Sequence, residues 1–246
     1  MRQINRKELS AIADEWSNTC HNRHAAVLEG KDISLTHVIV PTILQEIKNK
    51  KFNHLLDVGC GTGFLTHQMS KYINNCTGID ASTESINLAK QTYSNEHLTF
   101  IQTAMKDYIP SQLYNICVSS MALTSDPDYS DTLRKINQVL DMHGILLIMI
   151  THPCFWPIYW KLYKTSWFNY SKEQYIEHNY SISLVKSMGK ATFIHRPLQQ
   201  YYNAIQNAGF NITNIIEPQP FGEIPNEYIY DYPRFLFFKC MKSQSL

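Results

Sequence analysis

The residues of this chain best suited to chemistry lie in one short run, Leu55-Leu56-Asp57-Val58-Gly59-Cys60-Gly61-Thr62-Gly63. An apolar strand runs there into a glycine-spaced turn, and a helix is expected from Phe64. Glycine lacks a Cβ, so such a turn accepts left-handed dihedrals and lets a ligand come close to the backbone. Free N–H groups at the following helix N-terminus favour anionic ligand groups. A second signal is Cys76-Thr77-Gly78-Ile79-Asp80, a short strand ending in a carboxylate. At that place in a βαβ unit an acid can accept both hydroxyls of a ribose. Histidine is the natural base for an O–H group. His152 directly follows an apolar strand, and His195 closes an aromatic-rich segment, so these two are the candidate proton acceptors.

A dinucleotide-binding turn reads G-x-G-x-x-G. Here the glycines fall at 59, 61 and 63, and Phe64 occupies the place of the third. Phenylalanine there would obstruct helix–strand packing against a pyrophosphate. The order Asp-Val-Gly-Cys-Gly-Thr-Gly with Asp80 closing the next strand resembles the class I S-adenosylmethionine-dependent methyltransferases. The resemblance is good over roughly residues 35–150 and looser toward the C-terminus. It implies an α/β, Rossmann-like fold with a seven-stranded sheet of order 3-2-1-4-5-7-6, last strand antiparallel, and helices on both faces. It implies S-adenosyl-L-methionine as cofactor and S-adenosyl-L-homocysteine as product. By the same resemblance, Gly59, Cys60, Gly61 and Gly63 take the methionine end. Asp57 lies near its amino group, Asp80 holds the ribose, and Ala81 and Ser82 flank the adenine. Relatives often carry an acid after the third strand. This chain has Thr103-Ala104-Met105 there, so the backbone of Ala104 and Met105 is expected to hold the adenine. Asn115 replaces another frequent acid and is read as structural. The crevice at the switch point of the sheet should also receive Ser119 to Leu123.

These groups need elements to position them. Leu9, Ile12, Ala13 and Trp16 have helical spacing, and Gly30 should stop a second short helix. Ser34 is the candidate cap of a helix reaching Lys50, in which Pro41 implies a kink or a later start. Strands are expected at 53–58, 76–80, 98–102, 114–120 and 144–150, with helices at 64–73, 82–93 and 131–140. Such alternation implies parallel pairing with right-handed crossovers. Residues 152–197 break the pattern without clear periodicity and are rich in aromatics. A helix at 199–208 and strands at 212–216 and 235–240 complete the sheet. The expectation is one domain, 1–246, with residues 1–33 as an N-terminal cap or lid and 152–197 as an insert over the site.

The acceptor is read from what the chain lacks as well as what it has. Net charge is +1 across 246 residues with no dominant basic cluster, which disfavours nucleic acid. The strand end Ser119-Ser120-Met121-Ala122-Leu123 lacks the Asn-Pro-Pro-Tyr pattern of many macromolecular N-methyltransferases. A small, aromatic or apolar acceptor is expected, bound by Trp16, Met121, Phe155, Trp156, Tyr159, Trp160 and Tyr201. The segments Thr151-His152-Pro153-Cys154-Phe155 and His195-Arg196-Pro197-Leu198, with Tyr201, resemble a subgroup of bacterial small-molecule methyltransferases. Asp126 and Asp128 are read as preceding and capping a helix, and no metal is expected. Cys20, Cys60, Cys76, Cys117, Cys154 and Cys240 form no C-x-x-C pair, which points to a reducing cytoplasm. The polar N-terminus has no apolar signal segment, and Ile145–Ile150 is too short to span a membrane. The chain is expected to be a monomer or homodimer. Two rival readings stand: an NAD(P)-dependent oxidoreductase of Rossmann type, and a methyltransferase-like protein that binds cofactor without catalysis.

Overall fold

The structure is a computed structural model, and it describes residues 1–224 and 231–243. The chain opens with strand β1 (Arg2–Ile4) and helix α1 (Leu9–Leu28). A five-residue π-helical turn (Leu35–Ile39) leads into α2 (Val40–Ile47). Then come β2 (His54–Val58), α3 (Phe64–Met69), β3 (Asn75–Asp80), α4 (Thr83–Thr92), β4 (Leu98–Gln102), β5 (Tyr114–Ser120), α5 (Tyr129–Val139) and β6 (Leu140–Thr151). After a short α6 (Trp156–Tyr159), β7 (Gln174–Ile182) and β8 (Val185–His195) form a hairpin. Helix α7 (Leu198–Asn207), β9 (Phe210–Ile216) and β10 (Phe235–Lys242) end the described fold.

Seven strands make the main sheet, in the order β4-β3-β2-β5-β6-β10-β9. The first five are parallel neighbours, and β10 runs antiparallel to both β6 and β9. In sheet numbering this is the expected 3-2-1-4-5-7-6. The central strands are apolar on both faces because helices cover both. Leu55 and Ile116 face one layer, and Leu56 and Cys117 the other; all four are fully buried. Asn115 is structural: its Oδ1 accepts the N–H groups of Asn53 and His54, and its Nδ2 donates to Asp141.

Two local expectations are corrected, and the later helix start expected from Pro41 is found. Residues 9–28 form one helix, not two, and Gly30 follows its end in a left-handed conformation. Asp32 rather than Ser34 caps the next element, its Oδ1 accepting the Leu35 N–H at 3.0 Å. Pro41 sits in the first turn of α2, where its missing N–H costs nothing, and the π-helical turn before it absorbs the register change. The larger correction concerns the aromatic segment. Its second half is a regular hairpin, and β1 adds to it as an edge strand with Gln3 opposite Ile176. The resulting three-stranded antiparallel sheet packs against α1 through Ile12, Tyr175 and Ile194.

This second layer is anchored by Arg196, whose side chain is fully buried. Its Nε donates to Glu173 at 2.6 Å, and its two Nη groups donate to the carbonyls of Leu123 and Asp126 at 2.9 and 2.7 Å. Tyr129 lies beneath the guanidinium at 4.0 Å. One planar fork thus ties the end of β8 to the turn after β5, a task for which a lysine has the wrong geometry.

Candidate active site

The glycine turn after β2 has the conformation its spacing implied. Gly59 and Gly61 have φ of +76° and +54°. A Cβ on Gly59 would lie 2.3 Å from the Cβ of Ala122, so only glycine lets the turns after β2 and β5 meet. A Cβ on Gly61 would project into open space, at a place where the backbone borders a cavity. The turn is braced by Asp80, whose Oδ2 accepts the Gly61 N–H at 2.9 Å and whose Oδ1 accepts the Ser82 N–H at 2.8 Å. Burial raises the Asp80 carboxyl, while those two backbone donors pull it back down. Asp57 is 1% exposed, and among the described residues its carboxylate accepts only from Thr66 Oγ1, at 2.6 Å. Burial, with little from hydrogen bonding to offset it, pushes this carboxyl up to about 7.

The cavity has a volume of about 900 Å³. Its wall includes Asp57, Gly59, Cys60, Gly61, Asp80, Ala81 and Met105 from the strand ends and turns of the main sheet. It also includes Leu9, Ile12, Trp16 and Arg23 of α1, the rings of Trp156, Tyr159 and Trp160, and residues of the hairpin. Met121 lines it from the switch point, in a left-handed conformation at φ 64° that is uncommon for a side chain of its kind. Helix α1 is tied to the turn after β3 and to the end of α4. Ser17 Oγ lies 2.8 Å from Ser82 Oγ, and His24 Nε2 lies 3.0 Å from Thr92 Oγ1.

Several expected site residues do not line the cavity. Gly63 faces Phe100, which a Cβ would meet at 2.7 Å, so it serves packing. Ser82 caps α4 by accepting the Ser85 N–H. Ala104 is passed over between Thr103 and Met105, and Ser119 is wholly buried while Ser120 borders the space. Phe155 stacks on Tyr232 and His152, and Tyr201 is buried against Tyr129. Both candidate bases are displaced as well. His152 Nδ1 accepts the Cys154 N–H and its Nε2 pairs with Glu217 at 2.9 Å, so both ring nitrogens are occupied. His195 is 1% exposed and its Nε2 donates to the Tyr170 carbonyl. Asp126 does border the cavity, but its carboxylate is used locally, accepting from the Asp128 N–H and from Thr132 Oγ1.

Among the cavity-wall residues that sequence reasoning missed are Arg23, His178, Tyr180 and Thr62. Arg23 follows Trp16 and Cys20 at helical spacing, a signal that was present in the sequence. Its Nε donates to Tyr180 Oη at 2.7 Å.

The family profile for a methyltransferase domain matches residues 49–188, more than half of the chain and the whole stretch from the glycine turn to the hairpin. The chain belongs to this methyltransferase family. An uncharacterized methyltransferase of Bacillus thuringiensis (strain Al Hakam) is 27% identical over 148 residues, covering 58% of this chain and 68% of that protein. The fold is shared with a S-adenosylmethionine-dependent methyltransferase from Clostridium acetobutylicum, at TM-score 0.64 and 15% identity over 92% of this chain and 100% of that one. It is likewise shared with DhpI in its SAH complex, at TM-score 0.64 and 12% identity over 98% and 100% of the two chains. Among its described residues this methyltransferase has no helix long and apolar enough to cross a membrane. All six of its cysteines are free.

Proposed function

We propose that this enzyme transfers the methyl group of S-adenosyl-L-methionine to a small, apolar or aromatic acceptor. The observation that carries the reading is the cavity of about 900 Å³, whose single wall brings together the glycine turn, the carboxylates of Asp57 and Asp80, and aromatic rings. Its volume falls within the range of small-ligand sites, roughly 300–1,000 Å³. The open space at Gly61 and the bordering carboxylates fit the cofactor: the turn for its methionine portion, Asp57 for the ammonium, Asp80 for the ribose diol, and Ala81 and Met105 beside the adenine. Arg23 lines the same cavity but is already paired, with Asp32 at 3.5 Å and with Tyr180. The cofactor's sulfonium supplies an electrophilic methyl and a neutral leaving group. The remaining work of the protein is orientation, which can contribute roughly 7–11 kcal/mol. Trp16, Trp156 and Trp160 exclude water and present flat apolar surface to the acceptor. The near-neutral charge disfavours nucleic acid as the acceptor. Free thiols fit a reducing cytoplasm, and the chain works as a monomer or homodimer.

Calorimetry with S-adenosylmethionine and with NAD(P), followed by tritiated methyl transfer to small-molecule extracts, tests this. Micromolar cofactor binding, about −8 kcal/mol, is expected. Binding of NAD(P) instead would return the oxidoreductase reading. Cofactor binding without transfer to any small molecule would leave a non-catalytic binder.

A further inference from the structure

His178 is the one histidine among the described residues that lines the cavity. Its place on β7 is fixed from both sides. It sits opposite Ala191 of β8, and the neighbouring Glu177 sits opposite Arg2 of β1. The imidazole lies against the Trp160 ring, with centroids 4.4 Å apart, and meets Tyr180 edge-on at 6.3 Å. Its Nδ1 is 3.3 Å from the carbonyl oxygen of Asn179. A carbonyl can only accept, so Nδ1 carries the proton and Nε2 is left with a bare lone pair. The two histidines flanking this region differ in kind: the ring of His152 is satisfied at both nitrogens, and the Nε2 of His195 is spent on Tyr170.

We propose that His178 is the proton acceptor of the reaction and that the acceptor's nucleophile is a hydroxyl on an aromatic or apolar body. The inference rests on the methyltransferase reading above. In the step, the oxygen forms a bond to the methyl carbon as the carbon–sulfur bond breaks, and that electron pair stays on sulfur. The O–H proton passes to His178 Nε2. The positive charge leaves the sulfonium and appears on the imidazolium, which then yields its proton to water. Burial holds the ring neutral, down to about 4, so the lone pair is available throughout the physiological range. The unprotonated Nε2, fixed by the Nδ1 contact with the Asn179 carbonyl, is what a hydroxyl needs. A hydroxyl must lose its proton as the methyl arrives, whereas an amine that enters as free base needs no acceptor. A base placed on this wall is therefore of use to an alcohol or phenol.

The test uses the full chain as wild type, His178→Ala and His178→Gln, with labelled S-adenosylmethionine and two probes, 4-methylphenol and N,N-dimethylaniline. The aniline has no proton to lose. Replacement by Ala should lower kcat on the phenol by about 10²-fold or more, typical of a lost general base. Transfer to the aniline and affinity for S-adenosylhomocysteine should stay within a few-fold of wild type. Added imidazole should restore part of the phenol rate in the Ala variant. Equal losses on both probes, or full phenol activity in either variant, would overturn the assignment. An acceptor-free measurement stands beside these: nitrogen-15 NMR of the imidazoles at pH 7, with His178→Gln giving the assignment. It should find His178 neutral with its proton on Nδ1. A proton on Nε2, or a charged ring, overturns the proposal even if neither probe is methylated. Absence of S-adenosylmethionine binding by the wild type would instead overturn the methyltransferase reading beneath it.

Discussion

With Asp57 beside the cofactor ammonium, as proposed, binding becomes a proton-linked event with a calculable slope. The carboxyl is buried beneath the glycine turn, has one hydrogen-bond donor among the described residues, and feels the negative charge of Asp80. Pushed up to about 7, it is neutral below that pH and charged above it. A ligand ammonium beside it prefers the charged form, so affinity must rise with pH. If only the ionised form binds, the apparent Kd is the intrinsic value divided by the ionised fraction. That fraction grows from about one-tenth at pH 6 to about three-quarters at pH 7.5. Affinity for S-adenosylhomocysteine should then tighten about eightfold over the interval, about 1.2 kcal/mol. Calorimetry at pH 7 in two buffers of different ionisation enthalpy should also find about half a proton released per ligand bound. Asp57→Asn, which keeps the shape and removes the titration, should bind with a flat profile. A wild-type affinity constant within twofold from pH 6 to 7.5 would refute the reasoning, as would an Asn variant that keeps the slope.

Three further outcomes follow from the same geometry. Asp80→Ala removes an acceptor used by the Gly61 and Ser82 N–H groups and the proposed holder of the ribose, so S-adenosylhomocysteine binding should weaken by about 1.5–3 kcal/mol in calorimetry. Gly59→Ala places a Cβ against Ala122 in a left-handed turn and should cost about 1–3 kcal/mol in urea unfolding; an unchanged midpoint would mean that the turns after β2 and β5 move apart freely. Arg196→Lys cannot reach Glu173, Leu123 and Asp126 together, and leaving buried carbonyls unmet should cost at least about 2 kcal/mol, lowering Tm by roughly 4–8 °C.

The half of the fold proposed to hold the cofactor was legible because its signals are local. Leu55-Leu56 and Ile145–Ile150 read as strands buried on both faces, and strict β/α alternation leaves few topologies. Asp57, Gly59, Cys60, Gly61, Asp80, Ala81 and Met105 fall on the cavity because a short turn fixes them within a few residues of a strand end. The acceptor half was hidden for the opposite reason. In β7 the buried run Gln174-Tyr175-Ile176 gives way to half-exposed residues facing a cavity, so no clean period of two appears. The hairpin also depends on β1, more than 160 residues earlier in the chain, which no sequence window spans. His152 and His195 drew attention because they sit at segment boundaries. Their burial and their partners, Glu217 and the Tyr170 carbonyl, emerge only in three dimensions. His178 sat inside a strand that had been read as irregular.

The joining of β1 to the β7–β8 hairpin bears on how such enzymes can be re-engineered. The wall proposed to meet the acceptor comes from two distant tracts of the chain, residues 2–28 and 156–195. The family profile begins only after the first of these tracts. A chimera that exchanges the later tract alone would set a foreign hairpin against the resident α1 and leave β7 with a mismatched or bare edge, an invitation to pair with another chain. Acceptor preference in this architecture should therefore transplant only when both tracts travel together, as one cassette with two insertion points.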